Sequence, residues 1–134
     1  MIVKMTKQDH INYWKLTSQK DWDAVAGLIK IKKYAHALFF AHLSLEKLCK
    51  ANWVKNNAEN HPPRTHNLVK ILSQTTVAFS EDELSFLEQF NDFQLEGRYP
   101  DYMLKIYKVC NGRYTNTLIQ KIKPIRQCLL KKLR

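Results

Sequence analysis

The sequence predicts an all-α fold, a single bundle of four to five helices. Gly occurs only 3 times and Pro only 4 times in 134 residues, too rarely for the tight turns of a sandwich or barrel. Apolar residues recur at helical spacing over most of the chain. The length suits one domain, since domains run to roughly 100–150 residues. Residues 1–134 are therefore expected to form one unit, with its core at about 10–133.

The first helix is expected at about Ile11 to Lys32, where Ile11, Trp14, Trp22, Val25 and Ile29 share one stripe. Thr6-Lys7-Gln8-Asp9 suits its cap. The second runs from about Tyr34 to Asn57. Its Ala35, Ala37, Ala41 and Ala51 allow close neighbours, and Leu38, Leu45, Leu48 and Cys49 supply bulk. Pro62-Pro63 ends that stretch, because proline lacks an amide donor and restricts the residue before it. Thr65 is then placed to cap a short third helix carrying Leu68, Val69, Ile71 and Leu72.

Ser80-Glu81-Asp82-Glu83 is a capping box that opens a fourth helix, with Leu84, Leu87, Phe90 and Phe93 as its buried residues. Gly97 to Pro100 interrupts it. Asp101 to Gly112 fits either a short helix or an extended packed segment. The last helix is expected from about Asn116 to Leu133, and Pro124 within it predicts a kink or a local loss of hydrogen bonding.

Charge is unevenly placed. The net charge is +10, made of +7 over residues 1–80, −6 over 81–96 and +9 over 98–134. A basic surface of this kind attracts phosphates, with an affinity that falls as salt rises. The alternative is that the acidic stretch neutralises the basic tail within the fold. No apolar run approaches the ~20 residues of a membrane-spanning helix, so no membrane association is expected. Met1 to His10 has no apolar signal core, which points to the cytoplasm. Cys49, Cys110 and Cys128 are an odd, widely spaced set, best read as small packing residues.

Common catalytic motifs are missing, including the glycine-rich phosphate loops and the H-E-x-x-H metal helix. His36 and His42 are six apart on one helix and do not share a face. No cofactor and no metal site are expected. Glu46 and Lys50 form an i,i+4 pair, worth only ~0.2–0.5 kcal/mol on an exposed helix. His66 follows Thr65, where it suits a hydrogen bond across the first turn. Arg98 precedes Tyr99-Pro100 at a helix end, and its guanidinium suits a phosphate or a carboxylate held bidentately.

Three local patterns resemble the HEPN domain family. Tyr34-Ala35-His36-Ala37 leads into Ala41-His42-Leu43-Ser44-Leu45-Glu46-Lys47-Leu48-Cys49-Lys50-Ala51. Arg64-Thr65-His66-Asn67-Leu68 follows, and Gly97-Arg98-Tyr99-Pro100-Asp101 comes third. With Asp21 and Ala24 on the first helix, their order resembles that family over about residues 10–133. The resemblance implies an antiparallel helical bundle and dimerisation. It implies either metal-independent RNA cleavage through an R-x(4–6)-H motif or binding of RNA or nucleotides without cleavage. It also implies a minimal nucleotidyltransferase as partner, as in a toxin–antitoxin pair.

None of His10, His36, His42, His61 and His66 follows an Arg at the motif's spacing. If Arg98 is the motif's Arg, its His position holds Met103, Leu104 or Lys105. The expectation is therefore a non-catalytic nucleotide- or RNA-binding module, with Arg98, Tyr99, Tyr102, Lys105, His66 and Lys50 at the site. The alternative is a divergent endoribonuclease using Arg98 with His66 or Lys105.

Overall fold

A computed structural model describes residues 4–134. The expectation about a leader segment rests partly on residues 1–3, which lie outside the described ones. Six α-helices and one 3₁₀ turn make up the fold, with no strand among the described residues. They are α1 (Lys7–Lys30), α2 (Tyr34–Asn56), α3 (Leu68–Leu72), α4 (Glu81–Phe90), a 3₁₀ turn (Asn91–Phe93), α5 (Pro100–Val109) and α6 (Gly112–Lys131). The sixth helix, one beyond the expected four to five, arises because the ambiguous stretch after Pro100 is helical. Pro100 stands at its first position, where a missing amide hydrogen costs nothing.

The long helix α2 is the axis of the bundle. Fourteen of its 23 residues are buried, so it meets neighbours on nearly every side. Ala37, Ala41, Leu38, Leu45, Leu48 and Val54 are fully enclosed. The helix α1 folds back along it through Ile31–Lys33, with Lys32 in the left-handed region at φ 61°. The start of α1 reaches the end of α2: Lys7 Nζ donates to the carbonyls of Val54 and Asn57, each at 2.8 Å. A lysine there satisfies carbonyls the helix leaves open.

The last helix, α6, runs in the same sense as α2 and opposite to α1. Ser44 meets Arg126, Asn52 meets the Leu129 carbonyl, and Lys55 meets the Lys132 carbonyl, each pair further along both helices. Pro124 does not end α6. Its ring and Gln120, whose carbonyl lacks the usual donor, are exposed, so water can serve that group.

Both expected capping boxes are present, Thr6 with Asp9 and Ser80 with Glu83. Thr65 does not cap α3, contrary to expectation. Asn67 does so, accepting from the Lys70 amide, while Thr65 Oγ1 accepts from the Asn67 amide and sets the turn before it. Leu87, Phe90 and Phe93 are buried as expected, but Phe93 belongs to the 3₁₀ turn and Leu84 is only half-buried.

Arg126 is buried between α1, α2 and α6, although the sequence shows it only as one cation of a basic tail. Its Nε donates to Ser44 Oγ at 2.9 Å, a terminal nitrogen donates to Gln19 Oε1 at 3.0 Å, and the guanidinium lies 5.0 Å from the Trp22 ring. Burial pushes its pKa below the usual arginine value, with Asp23 acting the other way.

Candidate functional site

A buried carboxylate organises the polar interior where α2 passes the start of α3. Glu46 is only 4% exposed. Its Oε2 accepts from Lys50 Nζ at 2.9 Å and its Oε1 accepts from His66 Nδ1 at 2.9 Å. The Glu46–Lys50 pair is thus largely enclosed, unlike the solvated surface pair its spacing alone suggests. His66 does not bond across the first turn of α3; it reaches back to α2. With Nδ1 donating to Glu46, Nε2 is the ring nitrogen left for another partner, and the side chain remains half exposed.

His42 lies one turn before Glu46 and is wholly buried. Its Nε2 sits 3.1 Å from Asn91 Oδ1, which also accepts from the Leu68 amide. That second donor settles which end of the Asn91 amide is oxygen, so His42 Nε2 carries the hydrogen. Asn91 Nδ2 in turn donates to Asn67 Oδ1. Among the described residues, His42 Nδ1 has no hydrogen-bond partner and lies 3.9 Å from Glu46 Oε1. Burial depresses the His42 pKa, while Asn91 and Glu46 pull it back upwards. The ring is therefore neutral at pH 7.

The other expected site residues lie beyond the 3₁₀ turn. Arg98 Nε donates to the Gln94 carbonyl at 3.0 Å, and its guanidinium lies 4.5 Å from the Tyr102 ring centre. Tyr102 donates its hydroxyl to the Asp92 carbonyl at 2.6 Å. Tyr99 is 79% exposed, and Lys105 is exposed on α5. Among the described residues, no carboxylate pairs with Arg98. No acid of residues 81–96 forms an ion pair with a lysine or arginine there either. Internal neutralisation of the basic tail by direct pairing is thus not what the fold does.

The two groups meet around the 3₁₀ turn without direct bonding. Contacts lead from Asn67, beside His66, to Asn91, and from Asp92 to Tyr102 and Arg98. Lys50 and His66 share Glu46, while Arg98 and Tyr102 share a stack. Glu46, His42 and Asn91 are absent from the expected site. Their signal was partly legible, since His42, Glu46 and Lys50 are spaced at i, i+4 and i+8 along one stripe. Asn91 carried none, because its partners lie 23 to 49 residues away. Among the described residues, no group of three or more His, Cys, Asp or Glu is placed to hold a metal.

The family model described as the HEPN domain matches residues 11–132. The chain belongs to the HEPN domain family. The matched range includes every element of the site: α2 with Glu46 and Lys50, the turn with His66, and the Arg98-Tyr99-Pro100 entry to α5. A solved structure, TT1696 from Thermus thermophilus, is similar at TM-score 0.74 and 16% identity. The match covers 92% of this chain and 98% of that one, and at this identity it shows the helical fold alone. No curated protein matches significantly. Among the described residues, no helix is long and apolar enough to cross a membrane.

Proposed function

We propose that this HEPN-domain protein is a nucleotide- or RNA-binding module, acting as a homodimer beside a minimal nucleotidyltransferase. The observation that carries the binding reading is Arg98: a guanidinium stacked on Tyr102, with Nε on a backbone carbonyl and no carboxylate partner among the described residues. Such a group offers its terminal nitrogens to a phosphate. Exposed Tyr99 offers a face for a base, and Lys105 adds positive charge nearby. The net charge of +10 supports the same ligand class. The nucleotidyltransferase and the dimer rest on family membership, and co-purification from a strain expressing both chains tests the first.

The binding test is fluorescence anisotropy of a labelled single-stranded RNA over a salt series. Arg98→Ala should weaken binding about tenfold and flatten the log–log salt slope by roughly 0.7–1 for the lost phosphate contact. Unchanged affinity and slope would remove Arg98 from the site. The Glu46–His66 pair favours a second reading, metal-independent RNA cleavage. A carboxylate on Nδ1 holds an imidazole as a base at Nε2, with Arg98 or Lys105 for charge stabilisation. Cleavage in chelator that survives in His66→Ala, Arg98→Ala and Lys105→Ala alike would eliminate it.

A further inference from the structure

Helix α5 is amphipathic, yet no residue of it is buried. One side, with Tyr102, Met103 and Ile106, leans partly on the bundle. The other presents Leu104, 68% exposed, and Tyr107, 49% exposed and stacked by one face on His36, with Lys105 and Lys108 beside them. Two exposed apolar side chains with two cations along one side of them suit, by charge, an apolar groove with an acidic rim on one side.

The fold contains such a groove. Between α4 and α6 lies a depression of about 290 Å³ lined by Asp82, Glu83, Phe86, Lys121, Pro124 and Ile125. Its floor is apolar, formed by Phe86, Pro124 and Ile125. The α4 rim is acidic, and none of Glu81, Asp82, Glu83 and Glu88 pairs with a cation among the described residues. On the α6 wall Lys121 lies over the Phe86 ring, 5.7 Å from its centre. The charge segregation visible in the sequence thus becomes two opposite surfaces: a basic ridge on α5 and an acidic-rimmed trough on α4.

We propose that α5 of one copy docks in the α4–α6 groove of a second copy, and that the exchange is reciprocal and closes a two-fold dimer. Leu104 and Tyr107 cover Phe86, Pro124 and Ile125 of the other chain, and Lys105 and Lys108 face its Asp82 and Glu83. A ridge and a trough on one chain always permit self-association; reciprocal use of both is what stops it at two copies. This deepens the dimer reading above and rests on it. The Arg98–Tyr102 stack then lies at the edge of the seam, beside Lys105.

The test is the mass of the full chain by sedimentation velocity, using two charge-reversal variants at exposed positions. One is Lys105→Glu with Lys108→Glu, which makes the ridge acidic. The other is Asp82→Lys, which reverses the net charge of the groove's own lining (Asp82, Glu83 and Lys121) from −1 to +1 and leaves the Ser80–Glu83 capping box intact. Each variant alone should lose dimerisation at least about tenfold, because like charges face each other in both contacts. An equal mixture should recover the dimer, since each ridge then finds a groove of opposite charge. Loss of fold cannot produce that recovery. Dimers that persist in each variant alone overturn this interface while leaving the dimer reading standing, and a mixture that stays monomeric overturns the pairing. Wild type that stays monomeric refutes both, and mass that climbs without limit refutes the reciprocal closure.

Discussion

Replacing Asn91 by Ala removes one side chain that serves three elements at once. Its Oδ1 accepts from His42 Nε2 at 3.1 Å on α2 and from the Leu68 amide at 3.1 Å at the start of α3. Both donors belong to residues with no solvent exposure, so neither regains a water partner when the acceptor is removed. A buried donor left unsatisfied costs about 1–3 kcal/mol. The two share one acceptor and one cavity, so their losses do not simply add, and about 3 kcal/mol is expected for the pair. The Asn67 cap of α3 also loses the Nδ2 donor. Urea unfolding followed by the fluorescence of Trp14, Trp22 and Trp53 measures the loss. With a slope of roughly 2 kcal/mol per M, the midpoint should fall by about 1.5 M. Asn91→Asp keeps an acceptor for both donors but sets its second oxygen against Asn67 Oδ1, so it should recover only part of the loss near neutral pH. A loss below about 1 kcal/mol in Asn91→Ala would refute the assignment of Asn91 as the link between α2, α3 and the 3₁₀ turn.

Two further outcomes follow from burial. His42 has a folded pKa depressed chiefly by desolvation, so the unfolded chain binds its proton more readily. Its contribution is complete above the unfolded pKa of about 6.5 and is lost as pH falls below it, at up to ~1.4 kcal/mol per pH unit. Urea midpoints measured from pH 7.5 downwards should show this decline, and a slope unchanged in His42→Gln would contradict it. Burial also pushes the Cys49 thiol strongly up and the Cys110 thiol up to about 11. A disulfide reagent should therefore modify half-buried Cys128 first, and Cys49 only as fast as the protein opens. Rapid labelling of Cys49 in the native protein would be inconsistent with the packing of α2.

Local information was enough for the helices and for most of their ends. The boxes at Thr6 and Ser80 are contacts across three residues, so the sequence contains both partners side by side. The stripe from Ile11 to Ile29 and the alanine-rich α2 were legible for the same reason: helical periodicity is a property of near neighbours. The end of the chain was less so. Whether Pro100–Val109 is a helix depended on its weak packing, and α6 starts at Gly112, earlier than its apolar spacing suggests, because Asn111 caps it by accepting from the Tyr114 amide.

Composition, charge segregation and the HEPN-like motifs were determined by the sequence alone, and so was the presence of Glu46, Lys50, His66 and Arg98 as polar residues at helix positions and ends. Only the tertiary structure decided what each one faces. It buried Glu46, turned His66 back onto it, gave His42 a neutral setting against Asn91 and hid Arg126 against Ser44 and Gln19. It also left the acids of α4 and the apolar ridge of α5 on the outside. The physical reason is separation. A hydrogen bond or a buried charge depends on groups brought within about 3 Å, and here the bonded groups lie 20 residues apart for His66 and Glu46, and 82 apart for Arg126 and Ser44.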